Sequence, residues 1–547
     1  MKRFLIQFSL VCGLMMLVLS SSSLALEADG PVRAGLYYGS SALDTANLEN
    51  SEGSGYRFGY FDSGDNFVAL GSTEATQITM LKTQNIYLKD GAYSASNPGG
   101  ATVIGSFHIQ LPGTYDSFYQ AQSAAGAYDG GFPAWISGTF YARVGAYATK
   151  EQAQSALSEL GVSDATVVGT SAYGINVTET KPGRVLFQFD SSGNEIFAVR
   201  PDQDDGTKTV TWFKGYRYYG DFLYERIGGG GLTVVNRLSM DDYIKGVLPY
   251  EMSASWPLEA LKAQAVCARS YTLTIGSKHS QYHFDVCTST DCQVYKGLNS
   301  ADGNTDRAVE ETSGICVWYQ GQVAQTFYYS ANGGASEDVE NVWGSSLPYL
   351  KGVADPYEGT LASKIPNYHW TYTFTKSQLT EKLRAKGQDC SNIVNLRLTA
   401  TTQMGNVASI EFTDNTGKTF TFAKEKARTI LGLPSMRFQI SGGGNSGGGS
   451  IFVDDGAMLN SLNGVYVIDG KGEIAQLSGI SSLQAISASG VGVLIPGVSG
   501  NPDTFTVTGS GNGHHVGLSQ WGAYAMAEQG YTYRDILSFY YTGIDLY

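Results

Sequence analysis

Between Pro257 and Ile275 the chain is committed to a helix, and to a slender one. Pro257 suits a first helical turn, where its missing N–H has no partner to lose. Leu258, Leu261, Ala265, Ala268, Thr272 and Ile275 then recur with the 3.6-residue helical period. Ala260, Ala263, Ala265 and Ala268 leave little side chain on its surface, so other backbone can approach closely and a buried helix is expected. Lys262 and Arg269, seven apart, project to nearly the same side and are candidates to present two positive charges to a cleft.

Upstream, Asp241 to Gly246 reads as a short helical turn and Val247, Leu248 and Pro249 as an extended stretch, which puts Glu251 in a turn. Its neighbours Tyr250, Met252 and Trp256 would strip water from the carboxylate, raise its pKa and suit it to general acid work. On spacing alone, a solvated turn carboxylate or a cap for the coming helix is the other reading. Asp241, Asp242 and Glu259 read as structural. Downstream, His283, Cys287 and Cys292 form H-x3-C-x4-C, followed directly by Gln293, Val294 and Tyr295. Two thiolates and an imidazole hold zinc with one more ligand, for which His279, Asp285 or water are available. The alternative is a Cys287–Cys292 disulfide or free thiols. Besides Cys12 in the leader there are Cys267, Cys287, Cys292, Cys316 and Cys390, an odd number that cannot all pair with one another.

GVLPYEM followed by SWPLEALKAQAVCARSYTL closely resembles the stage II sporulation protein D family, also called the amidase-enhancer family. Cys267 and Ser270 stand where alanine and threonine are usual. The resemblance implies that Glu251 is the acid/base of a lytic transglycosylase acting on peptidoglycan strands stripped of stem peptides. It also makes Lys262, Arg269, Gln293 and Tyr295 substrate-binding candidates. Clostridial-type members carry a His…Cys…CQ cluster here, whose metal supports the active-site region; this implies a structural zinc at His283, Cys287 and Cys292. Ser330 to Gly334 is similar to the family's S-T-x-G-G loop, with Val342, Trp343, Gly344 and Pro348, Tyr349, Leu350 following. The C-terminal GNGHHVGLSQWGA matches the family's G-x-G-H-G-V-G-[LM]-S-Q-x-G-A, making His514, Ser519 and Gln520 groove candidates. His515 occupies a glycine place, and is strained if that place needs φ > 0.

The chemistry is consistent with one carboxylate. Ordinary glycosidases need two. In a lytic transglycosylase the muramic 6-hydroxyl attacks the anomeric carbon, so a single glutamate protonates the leaving oxygen and then takes the hydroxyl proton.

Lys2 and Arg3 before the apolar run Phe4 to Leu19, then Ser23-Leu24-Ala25, read as a signal peptide of residues 1–25 and predict an extracellular or cell-envelope protein. Only a retained leader would add a membrane partner. A net charge of −14 argues against nucleic acid, and 68 glycines with 35 tyrosines fit an extracellular β-rich protein. A chain of 547 residues suits three or four units at roughly 150 each. Residues 26–125 read as a β-rich N-terminal region. FYARVGAYATKEQAQSALSELGVSDATVV reads as strand, helix and strand, with a Thr149-x-x-Gln152 capping box. It is similar to the sporulation-related repeat domain, which implies a glycan-binding module over 132–177; Arg143 replaces a common glutamine. The core spans 185–547, interrupted at 439–502 by a Gly/Ser-flanked β insertion. FGYFDSGDNFVAL at 58–70 echoes FQFDSSGNEIFAV at 187–199, each expected to be a hairpin. The expected whole is a multidomain, β-rich α+β protein: a secreted transglycosylase leaving 1,6-anhydro ends. The alternatives are a wall-binding protein that enhances a partner amidase, or a muramidase-type hydrolase.

Overall fold

The structure is a computed structural model describing residues 30–50, 52–202, 207–276, 278–443 and 503–547, with a few short strands between 451 and 494 described by backbone alone. The expected leader, 1–25, lies outside the described residues. Two large sheets carry the N-terminal two-fifths of the chain. One runs in the order Val286–Cys287, Val32–Tyr37, Thr233–Leu238, Asp221–Glu225, Phe197–Asp202, Gly55–Phe61, Phe67–Thr73. The other contains ten strands, from Thr166–Gly169 at one edge to Tyr216–Tyr218 at the other. Phenylalanines join the two: Phe58 stacks on Phe187 at 5.5 Å and Phe197 meets Phe189 at 4.9 Å. The fold is thus α+β, β-rich and multidomain.

Strands from before residue 125 and after 185 share both sheets. Val32–Tyr37 pairs antiparallel with Thr233–Leu238 and parallel with Val286–Cys287, and Thr45–Asn50 pairs with Thr211–Phe213. The first echo segment is a hairpin, Gly55–Phe61 with Phe67–Thr73. The second is not. Its strands Val185–Asp190 and Phe197–Asp202 belong to different sheets, because each finds its pairing elsewhere.

Within the larger sheet, residues 107–169 form β-α-β-β-α-β with strand order Thr166–Gly169, Phe107–Gln110, Thr139–Tyr147, Gly131–Ile136. Thr149 caps the helix Lys150–Leu160, its side chain accepting from Gln152 N at 3.3 Å. Arg143 is buried and donates to Gln110 at 2.9 Å and to Gln188, which ties this unit to the neighbouring strand Val185–Asp190.

The alanine-rich helix is Leu258–Ile275, and Ala260, Ala263, Ala265 and Ala268 are fully buried. Helices Met240–Glu251, Gly303–Glu310, Gln520–Glu528 and Tyr533–Tyr540 all pack on it, which its lack of side-chain bulk permits. The expected extended stretch Val247–Pro249 is helical instead: one helix runs from Met240 through Pro249 to Glu251. Proline in a helix interior costs about 3 kcal/mol. Burial of Tyr243, Ile244, Val247 and Leu248 outweighs it, and the helix ends two residues later, with Met252 extended and its N–H on Leu248 O at 3.0 Å.

Residues 369–442 and 503–510 form a lobe with its own core, including Leu379, Leu383, Ile410, Phe412, Phe505 and Val507. The interruption of the central core therefore begins before residue 439. Phe438–Gly442 pairs with Thr504–Ser510, and Gly443 N bonds Thr504 O at 2.8 Å, so the chain leaves and re-enters at one point. Most of 439–502 lies outside the described residues.

Candidate functional site

Glu251 is the last residue of its helix, half-buried, where the negative end of the helix dipole faces it. Burial raises its pKa above the ordinary carboxylate value, while hydrogen bonds from Tyr328 and Gln520 pull the other way. Gln520 Nε2 donates to Glu251 Oε2 at 3.3 Å. Tyr328 and Gln520 meet there because the strand Tyr328–Tyr329 lies parallel to Leu518–Ser519.

Gln293, buried at 1% exposure, orients Tyr328. Its Oε1 accepts from Thr272 at 2.7 Å and Tyr243 at 3.3 Å, so its Nε2 faces the other way, donating to Ala268 O at 3.2 Å and to Tyr328 Oη at 3.1 Å. With its oxygen accepting from Gln293, Tyr328 has its own proton free for Glu251. Glu251, Gln293 and Gln520 are thus brought into one network, completed by Tyr328. Beside it, Trp256 and Trp521 contact each other at 4.7 Å, with Tyr524 within 5.4 Å of both, and all three rings are partly exposed.

Other expected site residues are engaged elsewhere. Lys262 pairs with Glu259 at 2.8 Å and Glu311 at 2.6 Å. Arg269 is 1% exposed, its guanidinium on Asp241 at 2.9 Å and the Ile315 carbonyl at 3.0 Å, so no charge from it faces solvent. Tyr295 is a core residue, its hydroxyl on Asn236 at 2.7 Å and its ring 4.9 Å from Tyr243. His514 packs on Trp343 at 5.0 Å and accepts from Val516 N at 3.0 Å; burial lowers its pKa to about 4, so it is neutral near pH 7. His515 adopts φ 65°, the left-handed region, and is held by contact with Asn406 and by its carbonyl accepting from Glu337 N at 2.7 Å. Ser519 caps the helix Gln520–Glu528 and donates to Glu358.

His279, Cys287, Asp291 and Cys292 present one donor atom each, all within 4.8 Å of one another. A tetrahedral zinc with bonds of roughly 2.0–2.3 Å spaces its ligand atoms about 3.3–3.8 Å apart, so a small contraction makes the set fit. Cys287 and Cys292 are free thiols, not a disulfide. The expected ligand His283 stands outside the cluster: it takes a left-handed φ of 58° and turns its ring to Glu225 at 2.8 Å. Asp285 is likewise committed, to Arg33 at 2.7 Å. His279, one of the three considered for the fourth place, is the imidazole of the cluster, with Nε2 3.2 Å from Cys292 Sγ. Asp291, immediately before Cys292, supplies the fourth donor, which a His/Cys spacing does not mark.

A helix-borne, half-buried glutamate in a hydrogen-bonded network, next to a His/Cys/Asp cluster that could hold a metal, is thus the candidate site of this α+β protein. A family model described as stage II sporulation protein matches residues 228–319, which hold Glu251 and the whole cluster. The chain belongs to the stage II sporulation protein D and amidase-enhancer family. It is 30% identical over 338 residues to an uncharacterised protein of Brachyspira hyodysenteriae, covering 61% of this chain and 73% of that one. With the amidase enhancer of Bacillus subtilis it shares 33% identity over 321 residues, 55% of this chain and 40% of that one. With stage II sporulation protein D of Bacillus subtilis the identity is 28% over 328 residues, 57% and 75% of the two chains.

Proposed function

We propose that the protein is a lytic transglycosylase of peptidoglycan, acting in sporulation or cell-wall remodelling. The observation that carries this reading is Glu251 itself: a half-buried carboxyl with a raised pKa, hydrogen-bonded by Tyr328 and Gln520. Protonated, it donates to the leaving glycosidic oxygen as the bond to the anomeric carbon breaks. As carboxylate, it takes the proton of the N-acetylmuramic 6-hydroxyl as that oxygen bonds the same carbon, which restores the acid and leaves a 1,6-anhydro end. The partly exposed rings of Trp256, Trp521 and Tyr524 offer a wall for sugar stacking. Glu251→Gln should abolish cleavage of peptide-free strands while strand binding persists, and wild-type products should weigh one water less than hydrolysis products by mass spectrometry. Reducing-end products without anhydro species would assign the hydrolase instead.

The likeness to an amidase enhancer favours a second reading, a wall-binding protein that stimulates a partner amidase. A folded wild type that binds but never cleaves peptide-free strands would support it.

Zinc at His279, Cys287, Asp291 and Cys292 would complete a closed, structural site, supplying rigidity next to the alanine-rich helix. The glycan-binding module expected over 132–177 falls largely in the unit 107–169, and the proposal that this unit binds glycan is supported by its β-α-β-β-α-β order and the Thr149 cap. Export to the envelope by the 1–25 leader belongs to the same proposal. No helix among the described residues is long and apolar enough to cross a membrane.

A further inference from the structure

Glu358 is fully buried at the start of a short 3-10 turn, Glu358–Leu361, and none of the ion pairs among the described residues includes it. It accepts instead from three neutral donors: Asn332 N at 2.8 Å, Gly333 N at 2.8 Å and the Ser519 hydroxyl. Ser519 in turn accepts from Gly522 N at 3.2 Å, so one hydroxyl joins Glu358 to the first turn of the helix Gln520–Glu528. The next residue, Gln520, donates to Glu251. Asp355 braces the same loop, accepting from Asn332 Nδ2 and Tyr540 Oη, each at 2.6 Å, and from Glu358 N at 3.0 Å.

We propose that Glu358 is a positioning residue of the Glu251 centre: through Ser519 it fixes the helix start that delivers Gln520 to the acid/base. The direction of the Ser519 bond makes the link state-dependent. An ionised Glu358 accepts the Ser519 proton and leaves the hydroxyl's lone pairs for Gly522 N. A protonated Glu358 competes as a donor at that oxygen and turns the Ser519 proton toward Ser330 O, 3.5 Å away. The charged and titratable groups around Glu358 are Asp355, Tyr329, Tyr368, Tyr540 and Arg437; those around Glu251 are Tyr328 and Tyr243.

The proposal rests on Glu251 being the acid/base, and its test is chosen to separate the two. Because the Gln520 hydrogen bond favours the ionised form of Glu251, losing it raises the Glu251 pKa. Glu358→Gln, Ser519→Ala and Gln520→Ala in the full chain should therefore shift Glu251 titration upward alike, read by carbon-13 carboxyl NMR with Glu251→Gln to assign the signal. This readout needs no turnover. On peptide-free strands the three variants should lose roughly ten-fold or more in kcat with KM changed far less, since misplacement of the acid costs rate rather than binding. Folding is checked by near-ultraviolet circular dichroism, and Glu358→Asp serves as a conservative variant should Glu358→Gln fail to fold. An unshifted Glu251 titration in folded Glu358 and Ser519 variants, with Gln520→Ala shifted, overturns the proposal. Absence of cleavage by wild type with the common shift intact overturns the transglycosylase reading and leaves the positioning role standing.

Discussion

Glu251 is held between burial, which favours its neutral form, and two donors that favour its charge. Tyr328→Phe removes one donor, so the alkaline limb of strand cleavage should move upward by about one pH unit, a hydrogen bond to a charged group being worth roughly 1.5 kcal/mol. Rate against pH checks this, and an unmoved limb would mean that Tyr328 does not bond the acid. Glu358, raised by burial to about 7, bears on stability with a definite sign. Its folded pKa lies above its unfolded one, so its neutral form helps the fold below about 4.5 and that contribution is lost as pH rises to about 7. Glu358→Gln escapes this loss; its stability relative to wild type should rise across that window, by at most about 3 kcal/mol, in urea titrations at stepped pH. The proposed zinc site gives a third contrast: His279→Ala and Cys287→Ser should lose zinc by elemental analysis, whereas His283→Ala should keep it. Glu251, Gln293 and Gln520 were legible because they stand inside sequence motifs. Tyr328 and Glu358 were not, since only the strand Tyr328–Tyr329 and the loop at Asn332 bring them near. That the expected ligand His283 stands outside the cluster while His279 is in it goes with a left-handed backbone at His283 that spacing does not express.

At the scale of elements, the alanine-rich helix was legible almost to the residue, because period and Pro257 agree on its start and its small side chains on its burial. The helix before it was misread at Pro249, a local signal overridden by the apolar face Tyr243, Ile244, Val247 and Leu248. That face depends on Gly246. A Cβ there would lie 2.3 Å from the Tyr295 ring and 3.2 Å from Gly297 O, with Tyr295 pinned to Asn236. Gly246→Ala should accordingly destabilise the protein by about 1–3 kcal/mol, the usual cost of overpacking, seen as a lowered Tm. An unchanged Tm would show that Tyr295 moves freely, contrary to its buried hydrogen bond. Lys262 and Arg269 illustrate the limit of periodicity: it places two cations on one side, but ion-pair partners such as Asp241 and Glu311 come from other elements.

For the whole molecule, chain order and spatial order diverge. Strand alternation marks residues 26–125 as β-rich, yet which strand pairs with which depends on partners far away in the chain, as between Val32–Tyr37 and both Thr233–Leu238 and Val286–Cys287. Removing residues 30–38 should therefore unfold the core around the metal cluster, because that strand also carries Arg33, whose backbone N–H and guanidinium both bond Asp285. The opposite outcome is expected for residues 444–502. Their flanks already meet where Gly443 N bonds Thr504 O and the strands Phe438–Gly442 and Thr504–Ser510 pair, so a short Gly-Ser link closes the gap without moving either strand. Shortening the connection between two paired flanks recovers a little closure entropy, about 0.6 kcal/mol for each halving, and among the described residues the lobe's core includes Leu379, Leu383, Ile410, Phe412, Phe505 and Val507. The shortened protein should keep its Tm within a few degrees, roughly what 1 kcal/mol moves in a domain of this size, and should bind and cleave peptide-free strands as the full chain does. Loss of strand binding with the Tm retained would instead give residues 444–502 a part in holding the glycan.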